Sequence, residues 1–384
     1  MRSKLRAVLQ RFIDQEASSG ILLFLAAVCA LLLANSGFSG VYGRAVERVQ
    51  APVDDGLMTL FFLLVGLEIK REMVSGELRT VSSAVLPAIA AAGGMLVPGA
   101  IFAALNSAAP ADRGWAIPMA TDIAFSIGCL TLMKKRVPVA LIVFLTALAI
   151  FDDIGGIAVI AVFYARGFSP RWLLATAAVG IAVWMLARRG ARSFLIYAGA
   201  GVLMWIGLHR AGVHPTMAGV LLGVLVPRQL LDGWIEKLHR PVALGIVPLF
   251  ALANSGVSLA GAGAADLLAP VALGVGLGLF AGKQLGIFLF TIAAVRVRIA
   301  PMPGGASLRQ LHGVAVVGGI GFTVALFIAE LAFAAEPALL REAKIGILAG
   351  SLLSGIVGAL LLRTCPAVPT AARQDLRRAT ADLP

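Results

Sequence analysis

The run Leu148 to Tyr164, LAIFDDIGGIAVIAVFY, sets two adjacent carboxylates, Asp152 and Asp153, inside an apolar stretch long enough to lie in lipid. An ionisable side chain at the bilayer centre costs about 2.5 to 3.5 kcal/mol on insertion scales, so both persist only if paired, hydrated or protonated. Adjacent helical residues point about 100° apart, so the two carboxylates meet different neighbours. The other ionisable groups deepest in apolar sequence are Asp122, in IPMATDIAFS, and Lys283, in GLFAGKQLG. Oxygen ligands without thiolate favour a hard cation, and protons compete with it for the same oxygens, which is exchange chemistry.

The elements that must position these groups are membrane helices. Of 384 residues, 59% are hydrophobic and only 14% charged, with a mean hydropathy of +0.93, which excludes a soluble enzyme or binding domain. Apolar runs recur along nearly the whole chain at the length needed to cross a roughly 30 Å hydrocarbon core. They predict an all-α polytopic membrane protein with twelve helices, at about 18 to 36, 53 to 69, 81 to 105, 115 to 133, 137 to 163 and 172 to 187 in the first half. The second half continues at about 193 to 208, 213 to 227, 241 to 258, 271 to 295, 311 to 333 and 343 to 362. The first run, Gly20 to Ala34, ends without a small-residue cleavage site and reads as a retained helix.

An even number of helices puts both termini on one side. With that side inside, inner segments hold most of the Lys and Arg, including Lys70, Arg71, Arg136, Arg188 and Arg240, in a split of roughly 23 to 8, and Lys283 stays in the membrane. The bias predicts cytoplasmic N- and C-termini and supports the helix count. It also accounts for the net charge of +12 through anionic lipid headgroups, without nucleic acid. One transporter domain results: residues 1–17 as a cytoplasmic segment, 18–362 as the membrane region and 363–384 as a basic cytoplasmic tail, which includes Arg373, Arg377 and Arg378. Cys29, Cys129 and Cys365 are too scattered for a disulfide framework or metal site. GVGLGLFAGK, Gly274 to Lys283, fails as a phosphate loop because Gln284 stands where Ser or Thr is required, so no cofactor is expected.

The third to fifth and tenth to twelfth helices form trios of similar length, each with an interrupted central helix. The interruptions are Ile117 to Ser126 and GGIGFT, Gly318 to Thr323, with the glycines Gly318, Gly319 and Gly321. Matching breaks point to inverted-topology repeats whose two unwound helices cross near the midplane. A break exposes amides on one side and carbonyls on the other, so Asp122 is expected to offset amide ends, Lys283 carbonyl ends, and Thr121 to add an oxygen.

Several stretches resemble the bacterial NhaA family of Na+/H+ antiporters. They are FFLLVGLEIKREM at Phe61 to Met73, ATDIAFSIG at Ala120 to Gly128, RVPVALIVFLTALAIFDDIGG at Arg136 to Gly156, GVHPTMAGV at Gly212 to Val220, PLFALANSGVSL at Pro248 to Leu259, GKQLGIFLF at Gly282 to Phe290, and GGIGFTVALFIA at Gly318 to Ala329. The resemblance covers essentially the whole membrane region. It implies electrogenic, pH-regulated exchange of outward Na+ or Li+ for inward protons, with Asp153 as the main cation and proton carboxylate and Asp152 as its neighbour and the partner of Lys283. It implies that Asp122 and Thr121 line the unwound crossing, and that His214, Glu68, Arg71, Glu72 and Glu236 belong to a pH response on the cytoplasmic side. Lys283 is open to two readings, as a structural partner of Asp152 or as a proton carrier. The charges around Glu68, Lys70, Arg71 and Glu72 are open to another, as an ordinary membrane-edge cluster.

Two places depart from the family pattern. Gly37 to Gly56 contains no alternating strand pair where the relatives carry a dimer-forming hairpin, so a homodimer is possible but without that device. Glu330 stands where a small polar residue is expected, and reads as a snorkelling surface acid. Two other function classes compete with exchange. A proton-coupled organic solute carrier would need a larger polar or aromatic pocket, and an intramembrane aspartate-dependent enzyme would need further acids or a second catalytic helix. Only a few deep polar groups occur here, which suits a bare ion and no enzymatic activity.

Overall fold

A computed structural model describes residues 2–165, 167–259 and 263–367. Arg166 and the tail basics Arg373, Arg377 and Arg378 lie outside the described residues, as does most of the segment 363–384. In chain order the α-helices are α1 (Arg2–Ala34), α2 (Ser39–Ala51), α3 (Met58–Ser75), α4 (Val81–Leu105), α5 (Ile123–Leu132), α6 (Val139–Phe163), α7 (Pro170–Arg188), α8 (Phe194–Ala211) and α9 (Met217–Leu225). They continue with α10 (Arg228–Pro241), α11 (Val247–Asn254), α12 (Ala264–Leu267), α13 (Pro270–Leu277), α14 (Lys283–Arg296), α15 (Leu308–Val317), α16 (Phe322–Ala332) and α17 (Pro337–Thr364). Among the described residues there is no strand, and 81% of them are helical. This is what lipid demands, since a spanning segment must satisfy its own backbone groups.

Among the described residues, six helices are long and apolar enough to cross a membrane: α4, α6, α7, α8, the continuous helix Pro270–Arg296, and α17. Two further pairs qualify together and are bent at a short break. One is Ala111–Met119, a 3₁₀ helix, with α5, bent by 42°; the other is α15 with α16, bent by 43°. Both breaks hold residues that resist continuous helix: Pro118 ahead of an extended Ala120, and the glycines between Val317 and Phe322.

Helix α1 starts at Arg2, so the charged N-terminal segment and the first apolar run form one helix. The segment between the first two apolar runs is also helical, as α2 followed by a π-helical turn over Pro52–Leu57. The helices gather into two groups. One holds α4 to α6 and α13 to α17 with the Ala111–Met119 turn; the other holds α3 and α7 to α11. α1 packs against both, through α5 and α11. Small residues allow the closest approaches, as expected where apolar burial alone does not drive helices together in lipid. A Cβ on Gly66 would lie 2.6 Å from the Val220 carbonyl oxygen, across the α3–α9 contact.

Candidate functional site

At the two breaks the chain segments cross and bond to each other. The Asp122 amide donates to the Ile320 carbonyl at 2.7 Å, and the Ser126 hydroxyl to the Val317 carbonyl at 3.2 Å. Asp122 caps both helices that start at the crossing. Its Oδ1 accepts from the Phe125 amide of α5 at 2.9 Å, and its Oδ2 accepts from the Thr323 amide at 3.1 Å and the Thr323 hydroxyl at 2.6 Å, both on α16. One carboxylate therefore meets two positive helix ends, the offset expected from sequence, with Thr323 as a partner that sequence reasoning missed.

The carbonyl side is arranged differently from the expectation. Lys283 is completely buried and donates to Asp152 Oδ2 at 2.5 Å and to Thr121 Oγ1 at 2.8 Å, with no recorded bond to a carbonyl among the described residues. The carbonyl end of α15 is met by Thr121, whose Oγ1 lies 3.1 Å from the Gly318 oxygen and 2.7 Å from Asp152 Oδ2. Having one proton, that hydroxyl donates to one of these oxygens while accepting from Lys283.

Helix packing explains why a lysine fits here. The helix Pro270–Arg296 winds through a π turn at Gly278–Gly282, just before Lys283. Its glycines press against α4: Cβ atoms on Gly282 and Gly286 would collide with Pro98 and with the Gly93 backbone. A Cβ on Gly94 would sit 3.7 Å from the Lys283 Cδ, so the lysine stem runs along a strip of α4 that carries no side chain. A π turn shifts the register of all later side chains, which is how such bulges come to mark functional positions.

Asp153 stands apart from its neighbour. It is only partly buried and lines a narrow cavity with Phe61, Phe62 and Val65 of α3, Ala116 and Met119, and Val324 and Ile328 of α16. Among the described residues its carboxylate has no recorded hydrogen bond or ion pair. The second oxygen of Asp152, Oδ1, is buried and also without a hydrogen-bond partner. The cavity lies between the two helix groups and is otherwise apolar.

The five residues grouped by resemblance as a pH response do not gather in one place. Glu68 lies 3.9 Å from His239 Nδ1, and Arg71 lies 3.9 Å from Glu72, all near the C-terminal end of α3. Glu236 is exposed on α10, three positions before His239. His214 is at the other end of α3, with Nε2 3.3 Å from Asp55 Oδ1 and Nδ1 2.7 Å from the Thr216 hydroxyl. Thirteen residues of helix separate Asp55 from Glu68, a rise of about 20 Å. Lys70 caps α9, donating to the Val224 and Val226 carbonyls at 2.7 and 2.5 Å.

Sequence reasoning also missed His239. Leu231, Ile235 and His239 form the buried stripe of α10 at four-residue spacing, and that periodicity was the available signal. Burial, with help from the Arg71 guanidinium, holds the His239 imidazole below its ordinary titration range. Glu330 is no surface acid: its Oε1 lies 2.7 Å from Lys344 Nζ, and the two side chains are only 14% and 12% exposed.

The chain is similar to known proteins along most of its length. Residues 10–362 match the family described as Na+/H+ antiporter 1. The Na(+)/H(+) antiporter NhaA 1 of Myxococcus xanthus is 50% identical over 94% of this chain and 94% of its own. The Na(+)/H(+) antiporter NhaA of Anaeromyxobacter sp. is 48% identical over 94% and 92%, and that of Bordetella parapertussis 46% identical over 94% and 97%. With a family match over residues 10–362 and relatives this similar along more than nine-tenths of their lengths, the chain belongs to the Na+/H+ antiporter 1 family.

Proposed function

We propose that this chain is a pH-regulated, electrogenic Na+/H+ antiporter of the bacterial inner membrane, which extrudes Na+, or Li+ in its place, in exchange for external protons. One observation carries the reading. Of the three deep aspartates, Asp122 is held by two helix ends and Asp152 by Lys283, while Asp153 faces a cavity with no recorded partner. A carboxylate left in that state in a membrane has to be neutralised by something that comes and goes.

In this reading deprotonated Asp153 takes Na+ from the cytoplasm, with the unpartnered Oδ1 of Asp152 as a second ligand. The group carrying the crossing then shifts against the group of α3, Na+ leaves outward, and protons return on the carboxylates. Exchange that moves net charge needs more than one proton per Na+, and the Asp152–Lys283 pair supplies the second. Thr121 and Asp122 keep the crossing assembled, and Gly318, Gly319 and Gly321 let the chains meet: Cβ atoms on Gly319 and Gly321 would strike Leu279.

The chain is read as one membrane domain of inverted repeats with twelve crossings. α1, α3, α9 and α11 complete the six long spans and two bent pairs, and both termini lie in the cytoplasm with the basic tail on anionic lipid. The cytoplasmic end then bears Glu68, Arg71, Glu72 and Glu236, which set the pH response, with His214 contributing from the opposite face. Any homodimer uses a surface other than a hairpin at 37–56, where the chain is helical. The test is Na+-driven dissipation of a preset pH gradient in proteoliposomes, followed with an internal pH dye. The native chain should collapse the gradient and Asp153→Asn should not. A folded native protein that leaves the gradient intact from mildly acidic to alkaline pH would overturn the reading in favour of an organic solute carrier.

A further inference from the structure

α16 carries three contacts in succession where the two helix groups meet. Val324 and Ile328 line the Asp153 cavity. Phe327, 1% exposed, packs its ring 5.1 Å from Phe62 of α3, 6.2 Å from Phe250 of α11, and 5.2 Å from the His214 imidazole. Nearly one turn on, Glu330 pairs with Lys344 of α17. Both charges lie within electrostatic reach of Asp54, whose Oδ1 accepts a hydrogen bond from Asn254 of α11 at 2.8 Å. The neighbouring Asp55 is tied to His214.

All these ties sit at the end of the molecule opposite Glu68 and His239, which is the outer end in the orientation proposed above. The pair is largely shielded from solvent, so it is screened less than an exposed ion pair and is costly to leave half-made. The same helix reaches the crossing through Thr323, which bonds Asp122. A swing of the outer end of α16 is thus communicated to the site.

We propose that Phe327, Glu330 and Lys344 form the outer gate of the exchange path. The Phe327 ring, packed on Phe62 of α3 and Phe250 of α11, plugs the route outward from the Asp153 cavity, and the Glu330–Lys344 pair fixes the outer end of α16 to α17 so that the ring stays seated there. This rests on the exchanger reading for what passes the gate, though not for the gate itself. None of the three touches the ion, so they are positioning residues.

The test uses Ile328→Cys, placed on the cavity wall at a site only 1% exposed, in a chain whose Cys29, Cys129 and Cys365 are replaced by Ala. Right-side-out membranes are labelled from outside with a cationic, membrane-impermeant methanethiosulfonate. Glu330→Gln, which keeps the side-chain volume, should speed labelling roughly tenfold, and Asp54→Asn should act in the same direction. Phe327→Ala should speed it further, and the charge swap Glu330→Lys with Lys344→Glu should restore the slow rate. Unchanged labelling in all three single variants would overturn the gate, as would equal acceleration by Arg71→Gln at the far end, which would signal general loosening. Na+-driven gradient collapse in the same membranes separates the two claims. Collapse with unchanged labelling removes the gate and keeps the exchanger, whereas faster labelling without collapse removes the exchanger and keeps the gate.

Discussion

Lys283 and Asp152 form an ion pair in which neither side chain has any exposure, and Thr121 closes the triangle at 2.8 Å from the ammonium. Removing one member of a buried pair strands the other charge and costs about 3 to 5 kcal/mol, whereas replacing both by neutral groups of similar volume costs far less. Lys283→Met should therefore lower the thermal unfolding midpoint in detergent sharply, and adding Asp152→Asn should recover most of the loss. A single variant as stable as the parent would mean that Lys283 is neutral in the native state.

Asp122 accepts three hydrogen bonds from two helix starts, and bonds to a charged acceptor contribute about 1.5 to 3 kcal/mol each. Asp122→Ala should destabilise the protein strongly. Asp122→Asn should do so less, because its amide keeps one acceptor oxygen but turns two donors towards donors. Thr323→Val should cost least, since the backbone amide bond survives. Equilibrium unfolding in detergent ranks the three, and equal stability of all would remove Asp122 as the cap of both helices.

Gly286 faces Gly93 with no space for a methyl group. Gly286→Ala must push α14 away from α4, and Lys283 lies one turn earlier on the same helix. Over-packing of this kind costs about 1 to 3 kcal/mol. The expected outcome is folded protein with Na+-driven exchange reduced well beyond what a surface substitution such as Leu289→Ala produces, measured as the initial rate in proteoliposomes.

His239 is buried against α3 beside Glu68, with Arg71 and Glu72 close by, and burial and Arg71 push its titration below the ordinary 6.5. The folded state thus favours the neutral imidazole. Its contribution to stability is complete above pH 6.5 and is lost as pH falls from there through the lowered folded value. His239→Gln should flatten the fall of the thermal midpoint below pH 6.5 and leave the midpoint slope above it unchanged. A variant that loses stability on acidification as steeply as the parent would show that His239 does not titrate there.

The deep charges were the most legible part of the sequence, because an ionised group in an apolar run must have a reason to be there. Asp122, Asp152, Asp153 and Lys283 announced themselves in that way, and three of them prove to be engaged at the crossing. Partners drawn from far along the chain were not legible. Thr323 reaches Asp122 across 201 positions, and no local pattern marks a threonine that caps someone else's helix. His239 is marked in the sequence only by its four-residue spacing from Leu231 and Ile235, which shows a helix face but not the Glu68 side chain it meets. Glu330 read as a surface acid because its position near a helix end says nothing of Lys344 on the next helix. His214 and Glu68 share a family association but stand at opposite ends of α3, a separation that chain order alone would have revealed.

The central claim is that Na+ and protons compete for Asp153, and the most direct measurement is proton release on adding Na+ to purified protein in weakly buffered detergent solution. The native chain should release protons on Na+ binding, with apparent Na+ affinity falling as pH is lowered, and Asp153→Asn should release none. Na+ binding without proton release, or with an affinity that stays constant as pH falls, would contradict it.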